Sequence, residues 1–289
     1  MNTLREKIVI RVLEEIDIPK TAYDKAEARY KSVTDWFNSE RSESSRHDPH
    51  LYPQGSFRLG TVIKPITAEG EYDLDMGCRL RTGITKATHA QSELKGLVGR
   101  DVERYRKAVG IEQAREEKHR CWRLHYADEL KFHLDVVPSI PDSAQTIRLR
   151  LQQSGLGPVF AANIAQHTGG ITDDRRYNYR VIHPDWLLSN SEGFALWFEY
   201  CMEQQAGLRD RLILGARAAR VDRLPAYRWK APLQRAVQLL KRHRDVSFHA
   251  DEHGKPASVI ITTLAARAYR GEAEMMQALD GILGRMGNW

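Results

Sequence analysis

The chain is poor in cysteine and in long apolar runs. Three cysteines, Cys78, Cys121 and Cys201, are scattered through 289 residues. An odd, widely spaced set excludes a disulfide framework and a Cys-rich zinc ribbon, and it suits a reducing compartment. The longest apolar stretch, Val259–Ala266, is interrupted by two threonines. It falls well short of the ~20 residues a membrane helix needs. Met1–Ile18 is charged throughout, so no secretory leader is read there and a cytoplasmic location without membrane attachment is expected. No loop ending in Gly-Lys-Ser/Thr occurs, which excludes a P-loop NTPase.

What is present is ordinary for a globular protein: 42% apolar and 28% charged residues, enough to build a core and to argue against disorder. At ~100–200 residues per domain, the length suits two closely joined domains or one large α/β unit. Lys and Arg total 44 against 38 Asp and Glu, a net +6. That favours phosphate-bearing partners but is too small to indicate duplex nucleic-acid binding.

Leu4, Ile8, Val12 and Ile16 recur every four residues and predict a helix that stops before Pro19. Tyr23, Ala26, Tyr30, Val33 and Phe37 predict a second one. Residues 39–50 read as a polar loop. Gly55, Gly60, Pro53 and Pro65 with β-branched Thr61, Val62 and Ile63 suggest a strand and a tight Gly-led turn. Strict alternation over Glu71–Leu80 marks a half-buried strand: Tyr72, Leu74, Met76, Cys78 and Leu80 on one face, Glu71, Asp73, Asp75 and Arg79 on the other. Ile84–Val109 reads as a helix pair or one long helix. Cys121–Tyr126 and Lys131–Ile140 flank Ala127-Asp128-Glu129 as a hairpin. Beyond Pro141 the pattern is helical: a capping-box spacing at Ser189–Glu192 ahead of Phe194, Trp197, Phe198 and Cys201, then a helix from Pro232 through Leu233, Ala236, Val237 and Leu240, then Ala257–Tyr269 and Glu272–Met286.

Asp73 and Asp75 are the candidate chemistry. Two residues apart on a strand, their carboxylates share a face and can converge on one hard cation. Alone, such a pair also reads as a solvated strand face. Asp135, flanked by Leu134, Val136 and Val137, sits in an apolar run where a carboxylate needs a partner, either a metal or an arginine. Three carboxylates from adjacent strands suit two Mg²⁺ ions and displacement at phosphorus. Gly55-Ser56 can present backbone N–H groups and a hydroxyl to a phosphate, or be only a turn. Lys241 taken singly is a solvated or snorkelling lysine, and Ser258 taken singly is a cap residue.

The order Gln54-Gly-Ser-Phe-Arg-Leu-Gly-Thr61, Glu71-Tyr-Asp-Leu-Asp-Met76, His133-Leu-Asp-Val136 resembles the polymerase β-type nucleotidyltransferase signature of GS, D-x-D and a distant D. Over residues 50–270 it most resembles the bacterial cGAS/DncV-like nucleotidyltransferases (CD-NTases), which make cyclic oligonucleotide signals in anti-phage defence. The phrase QGSFRLGT, the aromatic in EYDLD, and Leu233–Asp245 followed by SVIITTL carry the narrower likeness. The resemblance implies an α+β, two-lobed fold. Residues 1–45 would be helices bridging the lobes, 46–145 a mixed-sheet palm, and 146–289 a helical second lobe. It implies that Asp73, Asp75 and Asp135 hold two Mg²⁺ ions, with Mn²⁺ as a substitute, and that Gly55 and Ser56 hold the donor triphosphate. Lys241 would reach the β/γ-phosphates, and Ser258 would contact nucleotide phosphate or sugar. The expected substrates are ATP, GTP or pyrimidine NTPs, and the expected product is a cyclic di- or trinucleotide. A regulatory protein partner is left open. Linear transfer to an RNA 3′ end or a protein, and a catalytically silent nucleotide sensor, are the alternatives.

The zinc insertion by which animal cGAS senses DNA has no counterpart in Cys/His spacing here, which speaks against direct activation by double-stranded DNA. The chain closes at Gly287–Trp289, where some relatives would continue. Other patterns are set aside: His249/His253 in a Gly/Pro loop as a zinc pair, Gly155-Leu-Gly157 as a phosphate loop, and the arginines at 209, 211, 217, 220 and 223, read as a solvated helix face. Trp197 and Phe198 read as core.

Overall fold

The computed structural model describes residues 4–67, 70–127, 130–203, 230–251 and 254–288. Helix α1 (Leu4–Ile16) and helix α2 (Lys20–Phe37) lead into β1 (Pro49–Gln54), the short α3 (Gly55–Leu59) and β2 (Tyr72–Leu80). Next come α4 (Gln91–Ala108), β3 (Glu116–Glu117), β4 (Trp122–Tyr126) and β5 (Phe132–Pro141). Helices α5 (Gln145–Gln153) and α6 (Pro158–Ala165) precede β6 (Gly169–Ile171), β7 (Leu187–Ser189) and α7 (Ser191–Glu203). The final described helices are α8 (Pro232–Ser247), α9 (Ser258–Ala268) and α10 (Met275–Arg285). The arginine-rich stretch 209–223 and His253 lie outside the described residues.

The sheet runs β1-β2-β5-β4-β3, with β6 on the C-terminal end of β5 and β7 beside β6. It is mixed: β2 and β5 are parallel and the other pairs antiparallel. The alternation in β2 sorts its faces as expected. Leu74, Met76, Cys78 and Leu80 are fully buried with Leu124, Leu134 and Val136, against Ala26, Tyr30 and Phe37 of α2 and Leu94 and Val98 of α4. The opposite face is polar and carries the site. A second apolar cluster joins Ala195 and Phe198 of α7 to Leu233, Ala236 and Val237 of α8, Ala265 of α9 and Ile282 of α10. The fold is therefore α+β, with a sheet-based core and a helical one.

Several local expectations change. In α1 the regular stripe Leu4, Ile8 and Val12 is exposed, and Leu13 and Ile16 are the buried residues. Thr61–Ile63 form no strand despite their β-branched side chains. Residues 84–90 are not helical, and α4 begins only at Gln91. Glu192 does not close a capping box. Asn190 Oδ1 accepts from Gly193 N at 3.0 Å in its place, and Glu192 turns to the sheet, where His50 Nε2 of β1 and Arg79 Nη1 of β2 each stand 2.9 Å away. Burial pushes the Glu192 carboxyl up, but hydrogen bonds to His167 and His50 and the charge of Arg79 outweigh it and hold the group down at about 2.

These burial assignments set an expected contrast. Leu134→Ala should cost about 2–5 kcal/mol by removing a buried side chain between β2 and β4. Ile8→Ala should change stability by less than about 0.5 kcal/mol. Urea unfolding of both variants checks the difference.

Candidate active site

The polar sheet face is assembled by strand parity. Asp73 and Asp75 are two residues apart on β2, and parallel register places Asp75 beside Asp135 and Asp73 beside His133. On the far side of β5, Arg123 of β4 stands opposite Asp135. The three carboxylates therefore share one face, while Leu134 and Val136 point into the core behind them. Asp135 does not lie in apolar surroundings, as its sequence neighbours suggested, because alternation sends those neighbours to the other face. It is bound at both oxygens by Arg123, Nε to Oδ1 at 2.7 Å and Nη2 to Oδ2 at 2.8 Å, the fork-to-fork geometry of a strong charge-assisted pair. Asp73, 64% exposed, meets Nε2 of His133, whose Nδ1 lies 2.9 Å from Glu71.

Asp75 is enclosed differently. Its Oδ2 lies 2.0 Å from where a Cβ on Gly55 would stand, and Gly55 has φ +66°. Only glycine meets both requirements, so the Gly-Ser turn and the second Asp of D-x-D are packed against each other. The buried Tyr30 of α2 donates its hydroxyl to the Asp75 backbone carbonyl at 3.0 Å, which fixes the strand at this point. Burial, then the charges of Asp73 and Asp135, push the Asp75 carboxyl up from its ordinary 3.8 to about 7, against the pull of Arg123 and Lys241.

Lys241, far from being solvated, is 6% exposed and donates to the Thr61 carbonyl at 2.9 Å. Burial foremost, with Arg244 beside it, lowers its ammonium to about 8, while Asp245, Asp73 and Asp75 oppose the shift. Its hydrogen bond to Thr61, whose N–H donates to the Ser56 carbonyl at 2.9 Å, ties Lys241 to the Gly55-Ser56 turn. Ser56, in the first turn of α3, is half-buried next to Gly55. Ser258 is held by the helical half. It opens α9 without capping it, Ala257 being the cap position, and its hydroxyl accepts from Arg244, which is paired with Asp245.

Sequence reasoning passed over Arg123, Tyr30 and the positions of His133 and Glu71. The hairpin register held the signal for Arg123, since residues at matched parity on β4 and β5 share a face. Nothing in the sequence marks Tyr30 beyond its place in an apolar stripe.

Among the described residues, no three His, Cys, Asp or Glu side chains stand in metal-binding geometry as they are. The donor set nonetheless fits a hard cation: three carboxylates on one face, of which the central one is kept from ionising by burial and by the negative charges of its neighbours. Because the folded protein keeps a proton on Asp75 that the unfolded chain has released between about pH 4 and 7, this group's contribution to stability falls as pH rises through that window. Mg²⁺ should therefore raise the melting temperature more at pH 8 than at pH 5.5. Asp75→Asn should raise it at pH 8 without Mg²⁺ and abolish the Mg²⁺ increment. Differential scanning fluorimetry reads all three.

Residues 49–138 match the family model for the nucleotidyltransferase domain described as cyclic GMP-AMP synthase DncV-like. A c-di-GMP synthase of Roseivirga ehrenbergii is 26% identical over 286 residues, covering 99% of this chain and 66% of that protein. The cyclic dinucleotide synthase CdnG of Bradyrhizobium diazoefficiens is 24% identical over 287 residues, covering 95% of this chain and 61% of its own. The chain thus spans no more than about two thirds of either curated relative. The solved structure of the Bradyrhizobium CD-NTase CdnG in complex with GTP superposes with a TM-score of 0.66 at 21% identity, over 99% of this chain and 76% of that one. A sheet with an acidic face and a Gly-Ser turn packed on the D-x-D strand agree with these matches: residues 49–138 match the DncV-like nucleotidyltransferase domain, and the chain as a whole is similar to the CD-NTases in sequence and in fold.

Proposed function

We propose that the protein is a Mg²⁺-dependent nucleotidyltransferase that joins NTPs into a cyclic di- or trinucleotide, with bacterial anti-phage signalling as its setting. The observation that supports this most strongly is the pairing of Asp75 with Asp135 across parallel strands, with Gly55 closed against Asp75. The curated relatives named as cyclic dinucleotide synthases support cyclisation over linear transfer.

In this reading the Gly55-Ser56 turn and the Lys241 ammonium hold the donor triphosphate. Asp73, Asp75 and Asp135 would hold Mg²⁺, which supplies charge neutralisation on the triphosphate and lowers the pKa of the acceptor hydroxyl. The acceptor ribose oxygen bonds to the donor α-phosphorus in line, the bond to the bridging oxygen breaks, and pyrophosphate leaves. The hydroxyl proton passes to Asp135. Its oxygens must first be released from Arg123, so loading of the site and opening of that ion pair are coupled. Ring closure repeats the step within the linear intermediate. Ser258 acts through Arg244 at the edge of the site, a contact with nucleotide phosphate or sugar being its proposed role.

Incubation with all four NTPs and Mg²⁺ or Mn²⁺ should give a phosphatase-resistant product whose mass identifies the bases. Asp73→Ala/Asp75→Ala should cut the rate by about 10³-fold, the scale of losing several kcal/mol of charge stabilisation. Phosphatase-sensitive, growing or protein-linked products would point to linear transfer. Equal turnover by the variant would remove the metal assignment.

A further inference from the structure

Residues 59–64 leave α3 and run past the sheet without joining it. Backbone carbonyls that are buried outside a helix or sheet need other donors. Helix α8 provides them from its side chains. Gln234 Nε2 donates to the Leu59 carbonyl at 2.9 Å, Lys241 Nζ to Thr61 at 2.9 Å, Gln238 Nε2 to Val62 at 2.8 Å, and Arg242 to Lys64. Positions 234, 238, 241 and 242 fall at helical spacings of three and four, so they form one stripe along the helix. Gln234, Gln238 and Lys241 are buried, so this stripe is polar and yet faces inward.

Gln238 sits in the middle of the ladder, and its amide has one usable orientation. Its Oε1 faces the Arg235 guanidinium at 3.4 Å, while Nε2 faces Val62 O and, at 3.4 Å, Asp17 Oδ1. The next rung is Lys241 on Thr61, a residue whose N–H in turn donates to the Ser56 carbonyl at 2.9 Å. Any slip of α8 along residues 59–64 therefore changes where the ammonium stands relative to the Gly55-Ser56 turn.

We propose that Gln238 is a positioning residue, its amide locking α8 in register with residues 59–64 so that Lys241 and the Gly-Ser turn present a single phosphate-binding surface. This rests on the reading of that surface as a triphosphate site. Losing the amide leaves the Val62 carbonyl buried without a donor, and the segment can recover one only by shifting or by admitting water. The effect falls on NTP binding and not on the metal carboxylates, which are fixed to the sheet by strand register and by Tyr30.

The test measures equilibrium binding of non-hydrolysable ATP and GTP analogues with Mg²⁺ by calorimetry, with melting temperature in parallel. Gln238→Glu keeps the shape but turns an acceptor toward Val62 O and Asp17. Gln238→Met keeps the length and supplies a better-folding alternative. Val237→Ala, on the same helix, loosens the apolar packing without touching the ladder. Both Gln238 variants should bind the analogues about five- to tenfold more weakly, the scale of one hydrogen bond left unmade. Val237→Ala should bind within about twofold of wild type even where its melting temperature falls as far. Unchanged binding in the Gln238 variants, or equal weakening by Val237→Ala at matched melting loss, overturns the positioning role while leaving the NTP reading intact. Wild-type protein that binds neither analogue overturns the NTP reading, and the inference with it.

Discussion

The structure turns on one close approach, the carboxylate of Asp75 lying against the bare backbone of Gly55. Two requirements meet at that contact. The chain must turn through a left-handed conformation directly after β1, and the space a side chain would fill must stay free for a carboxylate from the adjacent strand. The consequence is a carboxyl held in a confined place, with two more beside it on the same face. Like charges gathered this way raise each other's cost of ionisation unless a cation or proton intervenes. The backbone register thus sets, before any ligand arrives, a site whose central carboxyl favours a proton or a cation.

The sheet also supplies partners for that demand. Strand parity sets Arg123 on Asp135 and His133 on Asp73, each from a neighbouring strand, while Lys241 approaches from the helical half. Asp135 is paired with Arg123 and Asp73 with the His133 ring, whereas Asp75 is the carboxyl whose proton affinity is raised, by burial first and then by its acidic neighbours. The arginine pair stabilises the face without metal, since it satisfies a carboxylate with two short charge-assisted bonds. It also competes with any ion for the oxygens of Asp135. The helical half enters through hydrogen bonds and not only through apolar packing: glutamine and lysine side chains of α8 complete a backbone segment that no strand pairs with.

How much of this could be read in advance depends on the range of the interaction. The D-x-D strand was legible because a period of two over ten residues fixes its faces regardless of context, and the β4–β5 hairpin because its two runs flank a short turn. The need of Asp135 for a partner was legible too, and Arg123 meets it, but the partner's identity was not: Leu134 and Val136 occupy the opposite face and describe the core, not the surroundings of the carboxylate. Thr61–Ile63 have strand-forming side chains, yet tertiary donors from α8 claim their carbonyls. Gln234, Gln238 and Lys241 look like a solvated stripe, since a helix-period pattern cannot reveal that buried carbonyls more than 170 residues away in the chain need donors. Glu192 fits a capping box by spacing and is drawn off by His50 and Arg79 of the sheet. Likeness to known relatives reached the carboxylates and the Gly-Ser turn but gave no hint of Arg123.

The most direct measurement is the titration of Asp75 itself, followed by carboxyl ¹³C NMR in metal-free protein and again with Mg²⁺. The account predicts a midpoint near 7 without metal, moving well below the neutral range once Mg²⁺ is added. A midpoint near the ordinary value of 3.8 that Mg²⁺ leaves unmoved would contradict it.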